Sequence, residues 1–179
     1  MFPAKFRRGF GFALALSALC ASACSSSKDD TSSLTSGITL EPGTTMAALD
    51  EFVGSTPDEW GWAGGAFTTP ADQAVLPAAT PATFVWTADP SGDPTGAALD
   101  PSKQQGQVFL LQFDSPATPK LLRVFTTAMT YTPDAASWQL LVGAADTITL
   151  TITEATFEND QILPEGGPHT GQTIHFTTQ

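Results

Sequence analysis

A chain of 179 residues with seven Lys and Arg against eighteen Asp and Glu carries a net charge of −11. That field repels phosphate backbones and anionic lipid headgroups, which argues against nucleic acid binding and against charge-driven adsorption to membranes. The two cysteines, Cys20 and Cys24, both lie near the start, so no disulfide is expected in the folded part and the fold must rest on its apolar core.

Residues 1–23 read as a cleaved export signal: Lys5, Arg7 and Arg8 give a basic start, and Phe10 to Ala23 give an apolar run of the expected length. Polar Ser25 to Asp30 interrupt that run before the roughly 20 apolar residues needed to span a bilayer. Ala21-Ser22-Ala23 is a small-residue cleavage pattern. Together with Cys24 it resembles a bacterial lipobox, with Ala21 standing where the strict pattern has Leu. The resemblance implies that Cys24 is lipidated on sulfur and becomes the new N-terminus, and Ser25 after it resembles the pattern that sorts to the outer membrane. The alternative is plain secretion with a free terminal thiol. Residues 24–36, almost entirely Ser, Thr, Asp and Lys after the cysteine, read as a flexible polar linker. Loss of the signal leaves Lys28, Lys103, Lys120 and Arg123 against all eighteen acids, four against eighteen, for a charge of −14.

Residues 37–80 read as an N-terminal extension with short helices packed on the domain that follows. A strand is expected at Ile38 to Leu40. A helix is expected over Met46 to Val53, with Met46, Leu49, Phe52 and Val53 on one face, Thr44 or Thr45 before it and Gly54 after it. Thr56-Pro57-Asp58-Glu59 has the form of a capping box with Pro at the first helical position, so a further turn or two should start there. Trp60 and Trp62, set among glycines, are candidate ligand-binding residues whose flat faces suit sugar or peptide; the alternative is that they pack the extension onto the domain.

Residues 81–179 alternate in the manner of an all-β sandwich. Thr83 to Thr87 puts Phe84 and Trp86 on one face, Val108 to Phe113 is apolar on both faces apart from Gln112, and Leu121 to Thr127 follows a Pro-containing turn. Thr132-Pro133-Asp134 starts a short helix toward Leu141, with Trp138 inward and Gly143 as its stop, placed as a crossover between strands. From Thr147 to Thr153, Ile148, Leu150 and Ile152 alternate with threonines. Ala155 and Phe157 then resume one residue out of phase, which predicts a bulge near Glu154. A long loop is expected over Glu158 to Gln172, and a last strand over Thr173 to Thr177 has Ile174 and Phe176 inward and His175 outward.

Chemistry is sparse. Asp89, Asp93 and Asp100 lie in a segment with oxygen-bearing side chains at calcium-loop spacing, making it a weak calcium candidate. Pro94 occupies the position that needs Gly, and Ala97 offers no ligand, so a Pro/Gly-rich turn with solvated aspartates is the competing reading. Glu154, Glu158 and Asp160 form a second acidic group, read as a wet loop. There is no G-x-S-x-G elbow, and His169 and His175 do not have zinc-ligand spacing, so no catalytic residue and no cofactor is assigned.

The order of a strand with a central Trp (TFVWT), an aromatic strand (QVFLLQF), a third strand (LLRVFTT), a YTP turn into a Trp-bearing helix, a Thr-rich strand and a final IHF strand resembles a fibronectin type III or immunoglobulin-like β-sandwich. It is similar above all to such modules in uncharacterised lipoproteins of myxobacteria-like bacteria, with Phe109 where these modules usually have Tyr. The resemblance implies a non-enzymatic, lipid-anchored envelope protein, facing the periplasm or the cell surface, that makes protein or glycan contacts. The alternatives are a calcium- or carbohydrate-binding module and, third, a small envelope hydrolase.

Overall fold

The structure, a computed structural model, describes residues 34–58, 65–89 and 91–179. The signal, Cys24, Trp60 and Trp62 lie outside them. Ten strands form two sheets. β1 (Ile38–Leu40), β6 (Leu122–Thr126), β5 (Gly106–Asp114), β8 (Ile148–Glu158), β10 (His169–Thr178) and β3 (Ala74–Leu76) lie side by side in that order, and β9 (Gln161–Ile162) pairs with β8 to make seven strands. β2 (Ala66–Thr69), β4 (Phe84–Thr87) and β7 (Thr130–Tyr131) form the second sheet. The central pairs β6/β5, β5/β8 and β8/β10 are antiparallel, while the edge strands β1 and β3 pair in parallel with β6 and β10.

The main core lies between the sheets, because alternate residues of each strand point the same way. Phe84 and Trp86 of β4 meet Phe109, Leu111 and Phe113 of β5, Leu122 and Val124 of β6, Ile148, Leu150 and Ile152 of β8, and Ile174 and Phe176 of β10. Aromatic rings join the layers edge to face: Phe84 and Phe113 are 5.3 Å apart between centroids, and Trp86 and Phe109 5.6 Å. Both tryptophans expected in the core are there, Trp86 at 2% exposure and Trp138 at 1%.

Helix α1 (Met46–Gly54) begins where Thr45 accepts from the amide of Ala48, and helix α2 (Ala135–Gly143) where Asp134 accepts from that of Ser137. α2 links β7 of the small sheet to β8 of the large one, as a crossover should. Trp138 donates its indole N–H to the carbonyl of Ala78 at 2.9 Å, tying α2 to the turn after β3. α1 lies on the outer face of the large sheet, where Ala48, Leu49 and Phe52 pack on Val108, Phe125, Ala155 and Phe157. Among the described residues no helix is long and apolar enough to cross a membrane.

Several expectations need correction. Residues 37–80 do more than cover the sandwich, since β1 and β3 form the two edges of the large sheet and β2 an edge of the small one. Ser55 to Asp58 are not helical, and the rest of the capping-box segment falls outside the described residues. β8 has no bulge at Glu154, for it pairs residue by residue with β5 from Gly106↔Phe157 to Asp114↔Thr149. The irregularity is across from it in β10, between Thr170 and Thr173. What changes near Glu154 is the cover: Ile148, Leu150 and Ile152 face the small sheet, whereas Ala155 and Phe157 face α1. Two phases of apolar residues on one straight strand therefore mark two partners, not a slip. The expected long loop is likewise partly strand, with β8 running to Glu158, β9 turning back, and β10 starting at His169.

Candidate functional site

Among the described residues the outer face of the large sheet is covered only in part. Where α1 sits it is apolar; beyond the end of α1 it carries Gln112 and Asp114 of β5, Thr149, Thr151 and Thr153 of β8, and Thr173 and His175 of β10. These side chains alternate with the inward core residues and are exposed or half-buried. Register sets them in rows across the strands, Gln112↔Thr151↔Thr173 and Asp114↔Thr149↔His175. Strand geometry spaces such positions by about 7 Å along a strand and about 5 Å between strands. The hydroxyls of Thr151 and Thr173 lie 3.0 Å apart, and the Gln112 amide donates to Asp114 at 2.9 Å. His175 closes the row with Nδ1 3.2 Å from the Asp72 carboxylate, which also accepts from the His175 amide at 2.7 Å. Those hydrogen bonds from His175 hold the Asp72 carboxyl below its ordinary range. The result is an open, hydroxyl-rich platform.

At its border with α1 lies a cleft of about 250 Å3, lined by Leu34, Phe52, Val53 and Leu110 on its apolar side and by Ser55, Gln112, Lys120 and Arg123 among its polar groups. Arg123 is 9% exposed and donates to the carbonyls of Leu34, at 3.1 Å, and Ser36.

Inside the sandwich, Glu154 is 2% exposed and faces Asp89 and Gly65. Its carboxyl accepts from the Asp89 amide at 3.3 and 3.4 Å, long contacts that satisfy it weakly. Burial pushes it up to about 7; the Asp89 charge adds to this, and the amides of Asp89 and Gly65 and the ring of His169 oppose it. The wet-loop reading of this residue is thus overturned. A Cβ on Gly65 would stand 2.9 Å from Ile152 Cδ1 and 3.2 Å from the Thr87 carbonyl, so this backbone closes over Glu154 as only glycine can.

The three calcium candidates hold separate positions. The Asp89 amide meets Glu154, the Asp93 amide reaches the Pro164 carbonyl at 3.3 Å, and Asp100 accepts from Ser102 at 2.7 and 2.9 Å while its amide binds Asn159. Glu154 and Asn159 are five residues apart along β8 and the turn after it, so the segment is drawn out along the strand instead of curling round one point. Among the described residues no three His, Cys, Asp or Glu are grouped to hold a metal. Glu158 accepts from Thr95, and Asp160 from Thr45 and the Gln104 amide, so both fasten segments of chain together. Trp60 and Trp62 are not described, but the residues flanking their segment are: Asp58 exchanges backbone hydrogen bonds with Pro168 and Thr170, and Gly65 accepts from Gln172.

Strict alternation was the signal for Glu154, since it continues the series Ile148, Leu150, Ile152. The platform was legible as the threonine phase of the same strand, but the edge of its cover was not. Comparison with known proteins found no family model, no curated protein and no solved structure that matches this chain.

Proposed function

We propose that this is a non-enzymatic envelope protein, exported by residues 1–23, lipid-anchored through Cys24 to the outer membrane, and making protein or glycan contacts through its β-sandwich. The observation that carries the contact role is the platform of Gln112, Thr149, Thr151, Thr153, Thr173 and His175, which no described element covers. Flat rows of hydroxyl and amide groups offer many hydrogen bonds to a broad polar partner and little enclosure to a small substrate. The fibronectin type III or immunoglobulin-like kinship is part of the same proposal. Two packed sheets support it at the level of layers, although seven strands against three is a less even division than such modules have.

Cross-linking in cells followed by partner identification tests the reading. Partners recovered with the native chain are expected to be lost with Cys24→Ala, which removes the anchor, and with Thr151→Lys, which plants a cation at the centre of the platform. An unchanged partner set in the Thr151→Lys chain would remove the platform from the proposal.

A further inference from the structure

We infer that the cleft at the end of α1 binds a small organic carboxylate with a short apolar body. The described residues include three basic side chains, Lys103, Lys120 and Arg123, and two of them line this one cleft in a chain of net charge −11. Arg123 is nine-tenths buried, yet among the described residues its guanidinium meets only the neutral carbonyls of Leu34 and Ser36, and its Nε–H has no partner. Among them no carboxylate pairs with it; the one ion pair found there is His175 with Asp72. Burying a cation among neutral groups is costly unless an anion compensates it. Asp114, two residues from the lining Gln112, is engaged by the Lys120 amide at 2.6 Å and the Gln112 side chain.

The rest of the lining sets the ligand's other half. Phe52, Val53, Leu110 and Leu34 give an apolar wall, while Ser55 and Gln112 stand beside the charges. At about 250 Å3 the cleft is smaller than the range of roughly 300 to 1,000 Å3 typical of drug-sized ligands, so it suits a compact molecule. Two of the five N–H donors of Arg123 are held by carbonyls, and an inorganic phosphate would leave the apolar wall of Phe52, Val53, Leu110 and Leu34 unfilled. A carboxylate can take a remaining guanidinium N–H of Arg123 together with the Lys120 ammonium, since both side chains line the cleft, and its hydrocarbon part takes the apolar wall.

Calorimetric titration of the full chain with octanoate, and with octanol as the uncharged counterpart, reads this directly. Octanoate is expected to bind one site, with octanol about tenfold weaker because it lacks the charge-assisted contact. The Arg123 Nε–H resonance should shift with octanoate at the same midpoint. Lys120→Gln, at an exposed rim position, should weaken octanoate several-fold and leave octanol unchanged. Equal binding of the two probes, no heat with either, or a still Arg123 resonance would overturn the proposal. Binding that emerges only in an Asp29→Asn, Asp30→Asn chain would overturn it too, since the chain's own acidic linker would then be the occupant.

Discussion

Glu154 is where a single side chain sets a property of the whole fold. Its carboxyl is held near 7 in the folded state against an ordinary value of 4.5, chiefly because burial penalises the charged form. The unfolded chain therefore releases this proton at lower pH than the folded one does. Stability from the neutral group is fully present below about 4.5, falls as the pH rises, and is gone once the pH has passed through about 7. Allowing for residual solvent screening, the loss is on the order of 2 kcal/mol. Glu154→Gln keeps an oxygen for the Asp89 amide and has no proton to lose, so urea midpoints of the native chain should decline between pH 5 and pH 8 while those of the variant stay more nearly level. Parallel decline in both chains would place the pH dependence elsewhere. Asp72, about half exposed, contributes little to it.

At the scale of elements, α1 decides which part of the outer face is apolar. Phe52 is its anchor: it meets Phe125 edge to face at 5.3 Å and stacks on Phe157 at 6.5 Å. Phe52→Ala should cost about 3–5 kcal/mol in chemical denaturation, as removal of a buried ring does, and should release the amides of α1 to hydrogen exchange first. Met46, on the same helix but 53% exposed, is the control; Met46→Ala should stay within about 0.5 kcal/mol. Thr45→Ala removes both the cap to Ala48 and the hydrogen bond to Asp160, which joins α1 to the β8–β9 turn, and should cost about 1 kcal/mol or somewhat more. α1, α2 and the longer strands were legible in the sequence because periodicity and caps are local. The short β1 and β4 were legible as well, but β2, β3, β7 and β9 were not, since their two to four residues show no clear apolar alternation and become strand through their partners. The false bulge has the same origin, because a sequence records that a residue is apolar but not whether a sheet or a helix covers it. The platform and the cleft follow from where α1 stops, a boundary set by packing between segments far apart in the chain.

For the molecule as a whole, the charge and the entry point of the chain bear on the proposed anchor. β1 is the first strand among the described residues and lies on one edge of the large sheet, and Cys24 precedes Ile38 by fourteen residues, a span of at most about 50 Å when fully extended. A lipid at Cys24 would therefore keep β1 within that distance of the membrane. If the proposed signal is lost, the remaining charge of −14 repels anionic headgroups, so in this proposal acyl chains on Cys24 supply the attachment. Metabolic palmitate labelling is accordingly expected to mark the native chain and not Cys24→Ala, and fractionation should move the variant from the membrane pellet to the soluble fraction. The same variant should keep the thermal midpoint of the lipidated chain, because β1 and everything after it are unchanged. An unlabelled native chain would make Ala21-Ser22-Ala23 an ordinary secretion site and the protein a released one. A labelled chain whose alanine variant still pelleted would show a second attachment, and the platform would then be the first surface to mutate in search of it.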